Sequence, residues 1–287
     1  GDWIRGTGYH ESVAGELSSR VLDEWTGHTP IRIQHRSGAL WVLNTAALNR
    51  LPAIRDSQKS GIERDSHGVA TGRLFRLDDW LREQRGPSSP PDLGAVSEEL
   101  ARHGITGATD ATPTNDASAV AAFADAAREG RFRQKLSVMG KLEMPEIKAP
   151  GIERTCVKIM LDDERLPELD HLHQNIEEAH AARRCVAIHC VTRGELVFAT
   201  EALAMAGVRT GDRIEHAAVT PPELMRRLAE LSLQVVTQHG FLYERGDVYA
   251  REVDLQDQPW LYRGQGFIDA HVPLGGGTDA PFGAGKT

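Results

Sequence analysis

What the sequence lacks narrows it quickly. Within 287 residues no apolar run approaches the length of a bilayer span, and no lysine- or arginine-rich block occurs. With a net charge of -8, neither a membrane nor a nucleic acid is an expected partner. Only three cysteines are present, Cys156, Cys185 and Cys190, and none has CxxC spacing. They lie in or beside apolar stretches and read as reduced, buried thiols without a disulfide framework, which suits the cytoplasm. The opening GDWIRGTGYHES has neither the charged-then-apolar plan of a signal peptide nor an initiator methionine. What is present is apolar material, 40% of the residues. That is enough for one large α/β domain, alone or with an appended module, acting on small molecules; homo-oligomerisation stays open.

Residues 1–92 show no regular strand–helix alternation and read as an α+β module. Residues 30–35 (PIRIQH) alternate like a strand, 39–49 (ALWVLNTAALN) have helical composition, and 61–75 suggest a hairpin turning at Ser66, His67 and Gly68. A linker, GPSSPPD at 86–92, ends the module. From 93 to 287 the rhythm changes. Helices at 93–103, 116–129, 167–183, 194–206 and 221–231 alternate with strands at 105–112, 132–139, 156–161, around His189, around His216, at 233–238, and before Asp279. Seven mostly apolar strands separated by helices predict a parallel sheet covered on both faces. A (β/α) barrel accounts for them, short of its first strand. A doubly wound sheet is the alternative, without its usual glycine-rich turn.

Three of these strands deliver a metal-ligating side chain at the end where barrels carry function: His189, His216 and Asp279. A fourth, TCVKIMLDD, holds Lys158 inside a run otherwise fit for a core. An ammonium removed from water needs a partner or a chemical change. The plain alternatives are a lysine emerging at the strand rim and hydrogen-bonded core histidines.

The ordered series VKIMLDD, AIHCVTR, DRIEHA, ERGD and GGTDAPFG resembles the amidohydrolase superfamily, and within it amidohydrolase family 3, the group that includes N-substituted formamide deformylases. QHRSGALWVLNTAAL is similar to part of the module which that group inserts into its barrel, so the resemblance covers nearly the whole chain. It implies a metal-dependent (β/α)8 TIM barrel, incomplete at both ends, with strands two to eight within 93–287 and the inserted module in 1–92. It implies that Lys158 carries a carbamate derived from carbon dioxide and bridges divalent metals. His189 and His216 would bind one ion, and Asp279 would bind the other while moving protons. Nitrogen and oxygen donors without thiolate suit zinc, one ion or two. The implied activity is hydrolysis of a C–N bond in a small amide, an N-acyl or N-formyl amine.

The family's His-x-His pair has one counterpart in spacing, His171-Leu172-His173, but residues two apart on a helix diverge and cannot share an ion. The pair is therefore expected upstream of Gly1. APFGAGKT at 280–287 fits a loose phosphate-loop pattern, giving a remote alternative as a nucleotide binder. A metal-free barrel serving as a binding or scaffold module is the other rival. Arg193, His239 and Arg245 follow strand ends and are candidates for substrate contact, with 241–260 read as a loop over the mouth. Arg245 could instead pair with Asp247. His35, Ser37 and Asn44 are further candidates to face the mouth.

Overall fold

A computed structural model describes residues 3–85 and 92–283. Most of the expected linker at 86–92, and the end of APFGAGKT, lie outside the described residues. Two compact units form, 3–85 with 279–283, and 92–278.

The first unit runs β1 (Ile4–Tyr9), α1 (Glu11–Ala14), α2 (Ser19–Thr26), β2 (Ile31–His35), β3 (Leu40–Leu43), α3 (Thr45–Arg50), α4 (Pro52–Asp56), β4 (Ile62–Arg64), β5 (Ala70–Phe75) and α5 (Asp78–Arg85). Its sheet has the order β1-β2-β3-β5-β4, parallel only between β1 and β2. The hairpin expected at 61–75 is β4–β5, and Gly68 takes the left-handed φ of +78° that its turn requires.

The helical reading of 39–49 is half wrong, because Leu40–Leu43 is the central strand β3. Trp41 and Leu43 enter one apolar cluster, Leu40 and Val42 another, so both faces are covered. Such a strand has no polar alternation to separate it from a buried helix. Asn44 then starts α3. Its fully buried amide accepts from Ile31 N (3.1 Å) and Ala47 N (2.9 Å) and donates to Thr29 O (2.9 Å) and Thr26 Oγ1 (3.1 Å). It is a helix cap and strand clamp, not a residue facing a site.

The second unit runs α6 (Leu93–Arg102), β6 (Gly107–Asp110), α7 (Ala117–Arg128), β7 (Lys135–Gly140), β8 (Ile152–Met160), α8 (Leu169–Ala181), β9 (Val186–Cys190), α9 (Arg193–Ala206), β10 (Arg213–His216), α10 (Pro222–Glu230), β11 (Gln234–Thr237), α11 (Gly240–Glu252), α12 (Gly264–Asp269) and β12 (Leu274–Gly276). The seven strands form one curled parallel sheet in sequence order, β6 to β12. Alternation divides its two faces. Ile188, Cys190, Ile214 and Val235 pack against Leu172, Ile176, Leu196, Leu203, Leu228 and Phe267 in the helical layer. On the opposite face Ala187, Cys156 and Met139 are in contact.

Two further expectations are corrected. Residues 241–260 are not an open loop, since Gly240–Glu252 is α11, with Phe241 buried on its inner side. The thiols are not all reduced, because Cys156 and Cys185 form a disulfide, leaving Cys190 free. Pairing of β8 with β9 sets Val157 opposite Val186, so the preceding residues meet with their Cα atoms 4.5 Å apart. Their separation of 29 positions hides that adjacency in the sequence. Among the described residues no helix is long and apolar enough to cross a membrane.

Candidate metal centre

Register places the polar residues of the inner face in two rows. Lys158, Ala187 and Arg213 stand opposite one another on β8, β9 and β10; His189 stands opposite Met160 and Glu215. Lys158 is buried at 8% exposure, as are Glu215 and His216 at 5%. The Arg213 guanidinium donates to Glu215 at 2.6 Å, which compensates the buried carboxylate.

By alternation His216 belongs on the face opposite Glu215. Its backbone does otherwise, with φ of +70° at His216 and +46° at Ala217. Two consecutive left-handed residues cost about 1–3 kcal/mol each, and such strain persists only where the surroundings impose it. Here Thr237 Oγ1 donates to His216 O (2.7 Å), Thr220 Oγ1 donates to Ala217 O (2.7 Å), and Ala217 N donates to Glu215 O (3.0 Å). The result brings the His216 ring within 4.4 Å of the His189 ring, edge to face at 74°.

The protonation states follow from the neighbours. His216 Nδ1 lies 2.6 Å from Gln238 Oε1, an oxygen that only accepts, so Nδ1 carries a proton and Nε2 is the ring nitrogen that would bind an ion. That second contact is how metal-binding histidines are oriented. Burial first, then the nearby His216 and Lys158, pushes His189 down to about 2, so its imidazole is neutral at physiological pH. Burial raises the Cys190 thiol well above its ordinary value, and its Sγ faces Glu195 O (3.7 Å) in the helical layer, which removes it as nucleophile or ligand. Two imidazoles with an amine nearby and no thiolate fit a divalent ion with nitrogen and oxygen donors.

Glu195 holds the loops beyond these strands. Its carboxylate accepts from Val191 N (2.6 Å) and Thr192 N (3.1 Å) after β9, and from Asp163 N (3.1 Å) after β8. Burial raises its pKa, against the pull of those amides. Glu195, Gln238 and Thr237 were not singled out from the sequence. The Thr192-x-x-Glu195 capping box was a readable signal for the first; nothing local marks the other two.

The remaining candidates are placed as follows. Asp279 lies three residues beyond β12 with φ of +52°, and groups with the first unit. Arg193 pairs with Asp257 at 3.4 Å, and a cavity of about 400 Å³ on the helical layer includes it but neither histidine. Arg245 stacks over Phe241 at 4.2 Å. His239 precedes α11 and packs so closely on Gly264 that a side chain there would collide with its ring. In the first unit, His35 closes β2 and bonds Ser37. His171 is exposed on α8, and His173 faces Glu177 at 3.5 Å.

The sequence model of the Amidohydrolase family matches residues 1–284. No curated protein matches the sequence. Among solved structures, an uncharacterized metal-dependent hydrolase from Pyrococcus furiosus aligns with 99% of this chain and 65% of its own, at TM-score 0.71 and 18% identity. A second, from Pyrococcus horikoshii OT3, aligns with 99% and 63%, at TM-score 0.73 and 18% identity. The chain thus spans less than two thirds of the length of either. The likeness is one of fold, and it identifies the curled sheet with the (β/α) barrel of these proteins.

Proposed function

The chain belongs to the amidohydrolase family, and from that premise we propose that it forms part of a metal-dependent hydrolase cleaving the C–N bond of a small amide, with an N-acyl or N-formyl amine as the favoured substrate. The observation that carries this reading is the His189–His216 pair, two imidazoles brought to 4.4 Å by a strained strand end. We assign His189 and His216 as ligands of a divalent ion, zinc by its preference for such donors. Lys158, as a carbamate formed with carbon dioxide, adds an oxygen donor that could be shared with a second ion. Asp279 is assigned as a further ligand and as the group that takes a proton from water and returns it to the departing nitrogen. A bound ion supplies Lewis-acid polarisation of the carbonyl and acidifies water.

This chain's residues provide the rest. Gln238 holds a proton on His216 Nδ1 and leaves Nε2 to an ion, and burial keeps His189 free of the proton that would compete with an ion. Thr237 fixes the bend that turns His216 inward, while Glu195 ties together the loops following Lys158 and His189.

The test combines metal analysis with hydrolysis of a panel of N-formyl, N-acetyl and cyclic amides. We expect bound divalent metal that falls in His189→Ala and His216→Ala. A protein whose metal content is indifferent to both changes is a scaffold barrel, and the hydrolase reading fails.

A further inference from the structure

The first unit brings together a second set of ligand-type side chains. Strands β1 and β2 run parallel with Tyr9 opposite His35, so both end on the same side. His10 and Glu11 follow β1 directly, and His35 is the last residue of β2. His35 Nε2 lies 3.1 Å, and His10 Nε2 3.7 Å, from the same oxygen, Glu11 Oε2. One ligating atom from each of the three lies within 4.8 Å of the other two. Ligands bound tetrahedrally at about 2.0–2.1 Å stand about 3.3 Å from one another. The carboxylate-to-ring distances already bracket that value, and a modest closing of the two rings completes it.

The surroundings repeat on both histidines. Each has a serine two residues on: His10 Nδ1 is 2.8 Å from Ser12 Oγ, and His35 Nδ1 is 2.7 Å from Ser37 Oγ. The Ser12 and Ser37 amides also point at these nitrogens, at 3.2 and 3.1 Å. With no ion bound, those amides keep the ring protons on Nε2, from which His35 donates to Glu11 Oε2 at 3.1 Å while His10 Nε2 stands 3.7 Å from the same oxygen. When an ion takes Nε2, the ring proton has to move to Nδ1, where the serine hydroxyl can accept it and the serine amide, which now points at that nitrogen, has to turn aside. The histidine side chains are 18% and 17% exposed and that of Glu11 39%, so an ion can enter and a fourth position remains open.

We propose that His10, Glu11 and His35 form a divalent transition-metal site with two imidazoles and one carboxylate, a donor set suited to zinc. Its residues are not those of the His189–His216 centre, and the proposal stands whether or not that centre binds metal.

The test begins with the chain carrying His189→Ala and His216→Ala, stripped with chelator and titrated calorimetrically with zinc. One equivalent should bind. His35→Ala added to that background should weaken binding at least about a hundredfold, and Ser37→Ala about tenfold, as loss of an outer partner does. Absence of zinc binding in the folded double variant overturns the proposal, as does His35→Ala with unchanged affinity. Should the double variant misfold, His35→Ala alone must hold one equivalent less than the unaltered chain at equal secondary structure by circular dichroism; equal metal content overturns the proposal. Failure of the barrel centre is read separately, as zinc content unaffected by His189→Ala and His216→Ala.

Discussion

Gln238 and His216, at the ends of neighbouring strands β11 and β10, are joined by a hydrogen bond of 2.6 Å between two side chains that are each at most 5% exposed. It fixes the tautomer of one proposed ligand, so its removal should affect metal affinity more than its share of stability. Gln238→Leu takes the acceptor away from a buried Nδ1–H, at about 1–3 kcal/mol. Zinc affinity should fall about 10–100-fold. Gln238→Glu keeps an acceptor and should hold affinity near the starting value. Competition against a chromophoric chelator, with urea unfolding of each variant, separates the two effects.

Glu195 gives a graded prediction. Its two oxygens serve three backbone amides, from Asp163, Val191 and Thr192. In Glu195→Gln the one remaining side-chain oxygen keeps the bonds from Val191 and Thr192, while the new NH2 group is set against Asp163 N; Glu195→Ala abandons all three. We expect Glu195→Ala to cost about 3 kcal/mol or more and Glu195→Gln about 1–2 kcal/mol, by denaturant titration. Equal stability of the two would show that the loops do not depend on the carboxylate.

The barrel rhythm was legible because its helices are long and stopped by glycines such as Gly130 and Gly207, and because residues like Ile188 and Ala187 sort cleanly to opposite faces. Elements whose evidence lies across the chain were not legible. Leu40–Leu43 is a strand only because sheet neighbours cover it on both sides, and the Cys156–Cys185 bond depends on β8–β9 register. Helix α11 was obscured by its mixed charges and by Gly240 and Gly246. The turn at His216 is the sharpest case: alternation assigns that ring to the wrong face, and the correction comes from Thr237 and Gln238, about twenty positions downstream.

The disulfide should be worth about 3 kcal/mol, given the 29-residue separation it closes. Reductant, or Cys185→Ser, should therefore lower the melting temperature by several degrees. A scan with and without dithiothreitol decides this. An unchanged midpoint would mean that the sheet pairing already restrains the unfolded chain there.

Ser232 ends α10 in the left-handed region, φ +55°, with its amide bonded to Ala229 O and that of Leu233 to Leu228 O. The residue is exposed and loses little packing if replaced. Ser232→Gly removes the conformational penalty and should stabilise the protein by about 0.5–1 kcal/mol. A destabilised variant would indicate that the serine hydroxyl contributes more than the strain costs.

Lys158 separates the proposed centre from an ordinary barrel core. It is buried at 8% exposure, opposite Ala187 and near enough to depress His189 electrostatically. Lys158→Met keeps most of the volume and removes the amine. If the lysine is only a rim cation, the change should alter stability by no more than about 0.5 kcal/mol and leave metal content alone. If its carbamate is a ligand, Lys158→Met should lose most of the metal held by His189 and His216 while the fold survives. Lys158→Ala leaves space, and a short carboxylic acid added to it should recover part of the metal by supplying the missing oxygen. Plasma emission analysis of each protein, with and without propionate, reads all three states. Full metal content in both variants would remove Lys158 from the site.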